Sequence, residues 1–190
     1  MTSYTSHFRK YFTMKAQLKK YFFLTTLFLP FFLSAEVETY FSPKGGFREN
    51  LLEKLDQAQK TLDIAVYHVE PRLLKKPVLK ALERGVRVRI SLNYGADWAR
   101  ADHKEIYEEF KNKKNIKIRK LAKNNHQKFV IIDGDTEQFT IINGSANWAY
   151  SADHTYDEDT LFISGSDENH LRDQFVEEFE KIWKLSSEKF

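Results

Sequence analysis

From residue 36 onward the apolar positions switch between a period of two and a period near three and a half. Residues 37–41 predict a short strand, closed by the turn Ser42-Pro43-Lys44-Gly45-Gly46. Phe47, Leu51, Leu55 and Ala58 recur at helical spacing, and Leu62 to Tyr67 read as an apolar strand. Pro77 fits the first turn of a helix that turns Val78, Ala81 and Leu82 inward and stops at Gly85. Val86, Val88, Ile90 and Leu92 alternate with Arg87, Arg89, Ser91 and Asn93, which predicts a half-buried strand. Residues 100–111 predict a helix with Ile106, Tyr107 and Phe110 inward.

The second half is richer in strands, at Ile116–Arg119, Lys128–Ile132, Phe139–Ile142 and Leu161–Ile163. A last helix takes Ser166 as its N-cap and buries Leu171, Phe175, Phe179, Ile182 and Trp183. Such alternation predicts the α/β class, a mixed β-sheet flanked by helices on both faces, as one domain over residues 36–190.

Residues 1–35 follow a different pattern. Lys15, Lys19 and Lys20 precede an uncharged apolar run over 21–33, and Ser34-Ala35 supplies a small-residue exit before Glu36. This is the order of a secretory signal, and the run is shorter than the roughly 20 residues of a membrane-spanning helix. Residues 1–35 are therefore expected to be a signal peptide or an N-terminal membrane anchor, which implies an exported, periplasmic or membrane-associated protein. Met14 is an alternative start, since 14–35 alone has the proportions of a signal. Leu33, bulky and three residues before the cut, weighs towards the anchor.

The leader changes the meaning of the charge. The chain has 30 basic and 27 acidic residues, a formal net charge of +3. The first 35 residues carry Arg9, Lys10, Lys15, Lys19, Lys20 and no acid, leaving 25 basic against 27 acidic residues in the remainder, a net of −2. Basicity overall is thus no argument for nucleic acid; distribution says more. Eight basic residues and no acid lie between Lys111 and Lys128, whereas Asp153 to Glu180 holds ten acids and one Arg. There is no cysteine, which excludes disulfides, thiolate metal sites and cysteine nucleophiles.

Chemistry concentrates in His126-Gln-Lys128-Phe-Val-Ile-Ile-Asp133, followed by Asn143-Gly144-Ser145-Ala-Asn147-Trp148. On an extended strand His126 and Lys128 project to one side, about 7 Å apart along the backbone, a gap that accommodates a phosphate. Ser145 and Asn147 show the same alternation and offer a hydroxyl and an amide to phosphate oxygens. Imidazole can serve as nucleophile, acid or base near neutrality, and lysine is a compact charge for an anionic oxygen.

His-x-Lys-x4-Asp followed by Gly-Ser-x-Asn resembles the motif of the phospholipase D superfamily. With one copy per chain, it looks most like the small exported bacterial nucleases of the Nuc/NucT type. The resemblance implies a phospholipase D-like fold in which His126 takes the phosphoryl group and Lys128, Ser145 and Asn147 hold the non-bridging oxygens. Glu158 would accept a hydrogen bond from the second imidazole nitrogen, and Asp133, though within the motif, would be architectural. One departure stands out: ten residues, Gly134 to Asn143, intervene between the Asp and the Gly-Ser pair where the family usually has six. A longer hairpin with Gly134-Asp135 in its turn accounts for them.

In-line displacement places nucleophile and leaving-group acid on opposite sides of phosphorus. One His-x-Lys per chain then implies a twofold homodimer in which each copy contributes its imidazole. No metal and no cofactor is expected, because lysines and asparagines replace metal charge. Lys123, Arg87, Arg89 and the aromatics Tyr94, Trp98 and Trp148 are the expected contacts to a nucleic-acid substrate, single-stranded DNA or RNA. A phospholipase or cardiolipin hydrolase with membrane association through the N-terminus is the alternative. From another class, a non-catalytic nucleic-acid-binding envelope protein has no need of the nucleophile.

Overall fold

Thr61–Val66 is a strand whose six residues are all buried, as in a strand covered on both faces. It lies near the middle of a seven-stranded sheet in the computed structural model, which describes residues 36–94, 99–121, 125–165 and 169–188. The strands are β1 (Glu36–Ser42), β2 (Thr61–Val66), β3 (Arg87–Asn93), β4 (Ile116–Leu121), β5 (Lys128–Ile132), β6 (Thr140–Gly144) and β7 (Glu158–Ser164). The helices are α1 (Phe47–Gln57), α2 (Pro71–Glu83), α3 (Arg100–Phe110), α4 (Tyr150–His154) and α5 (Asn169–Leu185). The leader read in residues 1–35, the Ser166 cap, Trp98 and Lys123 lie outside the described residues.

The sheet order is β1-β7-β6-β5-β2-β3-β4. β2, β3 and β4 are parallel, joined through α2 and α3, whereas β5, β6, β7 and β1 pair antiparallel. Both faces are covered, giving the mixed α/β sheet expected from the pattern. Leu62, Ile64, Val88, Ile90, Val130 and Phe162 share one core with Leu51, Leu55, Leu74, Val78, Ile106 and Phe110 of α1 to α3. Ala65, Phe129, Ile131, Ile141 and Ile163 pack on Phe179, Ile182 and Trp183 of α5.

Three expectations change. The second helix begins at Pro71, not near Pro77, because buried Leu73 and Leu74 extend its inner face and Pro71 takes the first turn. Pro77 sits inside the helix. β3 is buried on both faces rather than one: Ser91 and Asn93 are fully covered, Ser91 Oγ meeting Ser186 Oγ at 2.9 Å. Arg89 is no surface contact either. Its guanidinium donates to both Asp63 carboxylate oxygens at 2.7 and 2.6 Å and to Glu180 at 2.6 Å, tying α5 to the sheet.

Asp133 ends β5 with a left-handed backbone, φ 52°. Its carboxylate accepts the backbone N–H groups of Gln59, Lys60 and Thr61 at 2.6–3.1 Å, closing the α1–β2 connection. The hairpin after it, residues 133–139, turns at the end of β5 remote from His126. Replacing Asp133 by Ala strips a buried charged acceptor from three donors, and we expect a loss on the order of 3 kcal/mol in denaturant unfolding.

His103, in the first turn of α3, is fully buried with Nδ1 2.7 Å from the Asn93 carbonyl oxygen. Burial pushes its pKa down to about 4, against the opposing effect of that hydrogen bond. The unfolded ring takes up a proton near pH 6.5, before the folded one does, so stability falls as pH drops from about 6.5 to about 4. The loss is on the order of 3 kcal/mol, and His103→Gln flattens that part of the stability–pH curve.

Candidate active site

The chemistry collects at one end of the sheet because of strand direction. Lys128 opens β5 opposite Val66, the last residue of β2. Phe129 pairs with Asn143, so Lys128 lies level with the end of β6, and Gly144 pairs with Thr160 near the start of β7. His126, Lys128, Ser145 and Glu158 thus converge from residues far apart in the chain. Gly144 makes the convergence tight: a Cβ there would stand 2.1 Å from the Asp159 carbonyl oxygen.

His126 is exposed and Lys128 only 5% so. The expected projection to one side holds, but the expected gap is closed at the side-chain tips. Lys128 Nζ donates to the His126 carbonyl at 2.6 Å and lies 3.1 Å from Nδ1 and 3.5 Å from Nε2. The ammonium folds back because burial leaves it few other acceptors. Burial lowers the Lys128 pKa from the ordinary lysine value, and the Glu158 carboxylate opposes that shift.

Ser145 and Glu158 form the other half. The Ser145 hydroxyl donates to the Glu158 carboxylate and accepts the Asp159 N–H at 3.0 Å, while Ser145 N–H donates to Asp159 O at 2.9 Å. Glu158 therefore partners Ser145 here rather than the imidazole, since strand pairing sets the hydroxyl directly beside it. Asn147 is half-buried, its Oδ1 buried without a partner. The next peptide is tied to the end of β2 through Trp148 N–H to His68 O, 3.1 Å, and Glu70 N–H to Trp148 O, 2.9 Å.

Other expected residues part from this group. Asp133 stands at the far end of β5, an architectural acceptor and not a catalytic group. Trp148, expected as a nucleic-acid contact, is 2% exposed and belongs to the core. Alternation turns Ala146 and Trp148 inward, while Ser145 is exposed and Asn147 half-buried. The Tyr94 ring is half-buried between Lys120 Nζ, 4.6 Å from its centroid, and the Arg100 guanidinium, 5.4 Å. Part of the basic run is also paired within the chain, Lys111 with Glu108 and Arg119 with Glu188. Among the described residues no group of three or more His, Asp or Glu side chains converges to hold a metal ion.

Sequence reasoning missed Tyr67. Its ring lies 4.5 Å from the His126 imidazole, and the Lys128 ammonium stands 5.1 Å from its centroid. Its place as the polar-tipped aromatic that ends the apolar run Leu62 to Tyr67 is a signal that could have marked it.

Residues 51–183 match the family described as "Cardiolipin synthase, PLD-like domain". The mitochondrial cardiolipin hydrolase of Chlamydomonas reinhardtii is 32% identical over 136 residues, 70% of this chain and 56% of its own length. The phospholipase D of Rickettsia felis is 27% identical over 131 residues, 69% of this chain and 62% of its own. The chain thus spans about three-fifths of these curated relatives. The fold resembles Nuc, a phospholipase D family member from Salmonella typhimurium, with TM-score 0.67, 22% identity and coverage of 80% of this chain and 97% of that one. NucT from Helicobacter pylori gives TM-score 0.65, 19% identity and coverage of 81% and 99%.

Glu158 counteracts the effect of burial on Lys128, so Glu158→Gln should lower the Lys128 pKa further. NMR titration of the lysine side chain should show its inflection moving to lower pH; an unmoved or raised inflection contradicts the coupling.

Proposed function

Because this chain belongs to the phospholipase D superfamily, we propose that it is an exported phosphodiesterase that cleaves nucleic acid, single-stranded DNA or RNA, as a homodimer through a phosphohistidine at His126. The observation that carries this reading is the exposed His126 imidazole beside a buried ammonium, next to a hydroxyl–carboxylate pair on the adjoining strands.

In the first step a nitrogen of His126 attacks phosphorus. A P–N bond forms, the P–O bond to the leaving nucleoside breaks, and His126 of the partner subunit protonates that oxygen. The second imidazole, now neutral, takes a proton from water. The hydroxide attacks phosphorus, the P–N bond breaks, and a phosphate monoester leaves. Lys128, Ser145 and Asn147 of each copy hold the non-bridging oxygens, where preorganised donors stabilise developing charge. The exposed edge strand β1 supports self-association: Phe41 is 63% and Val37 58% exposed, and Phe41 pairs with Asp159 beside the site.

The single motif and the likeness in fold to Nuc and NucT support nucleic acid over lipid. The match to Nuc and NucT takes in almost the whole of those chains, and the single motif resembles the nucleases of that type. Phospholipid hydrolysis is the second reading, supported by the sequence identity to a cardiolipin hydrolase and to phospholipases D. A location in the periplasm or at the membrane follows from the leader pattern.

The full chain, purified in mild detergent, should be assayed on labelled single-stranded DNA, RNA and cardiolipin side by side, with and without EDTA. Cleavage of nucleic acid that persists in EDTA, and that His126→Ala abolishes without altering the dimer mass, is the expected result. Cleavage of cardiolipin alone selects the lipid reading, binding of DNA without turnover selects the non-catalytic one, and recovery only with magnesium overturns the metal-free mechanism.

A further inference from the structure

Tyr67 meets the nucleophile and its cation at once, yet phosphoryl transfer assigns it no step. The residue follows directly on β2, whose six residues are all buried, so the core fixes its backbone. Its N–H donates to the Gln127 carbonyl at 2.9 Å, which carries the β2–β5 pairing one residue past Val66 and Lys128. Tyr67 thus faces Gln127, with His126 and Lys128 on either side. The half-buried ring fills that place. Its centroid lies 4.5 Å from that of the His126 imidazole, the two planes 54° apart, and the Lys128 ammonium stands over it at 5.1 Å.

Each contact answers a need of the site. His126 is exposed, and an exposed side chain exchanges readily among its rotamers. A nucleophile has to be held in line with phosphorus, since a misplacement of about 1 Å can cost on the order of a hundredfold in rate. Lys128 is 5% exposed, and burial works against its charged form. An aromatic face attracts a cation within about 6 Å of its centroid, most strongly when the cation is desolvated. Unlike a carboxylate, the ring does this without neutralising the charge, so the ammonium stays available to non-bridging oxygens. Glu158 acts on Lys128 only through its field, its carboxylate accepting the Ser145 hydroxyl. As His126 takes the phosphoryl group its imidazole also gains positive charge, and the same π system lies beside it.

Resting on the reading of His126 as phosphoryl acceptor, we propose that Tyr67 is a positioning residue, whose ring holds the Lys128 ammonium charged and fixes the imidazole for attack. The ring and not the hydroxyl supplies both effects. Phenylalanine therefore serves in its place, and an aliphatic side chain of similar bulk does not.

The full-length protein and its Tyr67→Phe and Tyr67→Leu variants should be compared on bis(p-nitrophenyl) phosphate, with Lys128 titrated by NMR in each. Tyr67→Leu is expected to lower kcat about tenfold or more with KM within about threefold of wild type, and Tyr67→Phe to restore kcat to within about threefold. The Lys128 inflection should move to lower pH in Tyr67→Leu, where no ring favours the ammonium, and stay in place in Tyr67→Phe. A scaffold role alone would not move it. Tyr67→Met repeats the comparison if Tyr67→Leu does not fold, and unfolding of both overturns the positioning role in favour of scaffold. Wild-type kcat in a folded aliphatic variant overturns it too, as does an equal loss in Tyr67→Phe or a Lys128 inflection that stays or rises in Tyr67→Leu. Those three results leave the phosphohistidine reading standing. No turnover by the wild type, or full turnover by His126→Ala, overturns that reading and the positioning role with it.

Discussion

The site depends on one constraint, the register of three antiparallel strands. Lys128 level with Gly144, and Gly144 opposite Thr160, bring the ends of β5, β6 and β7 to a single line. A slip of one residue in β5 would send Lys128 to the opposite face of the sheet and expose Phe129 in its place. The register is held from both sides, by Ile131 and Ile141 against α5 and by Val130 and Ile142 against the other helices. Core packing and catalytic geometry are therefore one requirement. Gly144 belongs to it because only a residue without Cβ lets β6 pass so close to Asp159.

The two ends of β5 divide the labour. At one end a charged group is buried at a cost, the Lys128 ammonium being held beside the imidazole it serves. Burying such a group costs free energy unless an acceptor or counter-charge faces it. At the other end Asp133 is buried but fully engaged with three backbone donors, and it strengthens the frame. Both residues belong to one motif, yet the first lies beside the candidate imidazole and the second ties the frame together. The pairing of Ser145 with Glu158 is of the first kind, a hydroxyl held ready by a carboxylate that also acts on Lys128.

Nucleic acid and phospholipid share the diester on which these groups act, so the phosphate site alone does not discriminate between them. Discrimination lies in what meets the two substituents of phosphorus. Here the cavity beside His126 is lined by two amides, three aliphatic residues, Glu178 and Lys181, a wall of mixed polarity. An acyl chain would need continuous apolar cover, whereas a base needs one apolar face and a polar edge. Two of the exposed apolar residues, Val37 and Phe41, lie on β1, with Phe41 paired to Asp159.

Much of this was legible in the chain itself. Periodicity predicted the sheet-and-helix alternation, and His126, Lys128, Ser145 and Asn147 stood out because alternation on extended backbone is a local rule. The same rule, carried one step further, would have turned Trp148 into the core. What the sequence could not decide are contacts between distant segments: Glu158 meeting Ser145 and not the imidazole, Arg89 locked between Asp63 and Glu180, Tyr67 beside His126, and the cavity under α5. The identity and spacing of reactive groups are properties of short stretches of chain. Which atoms finally touch depends on strand order, register and helix docking, and those are settled only when the whole hydrophobic core closes.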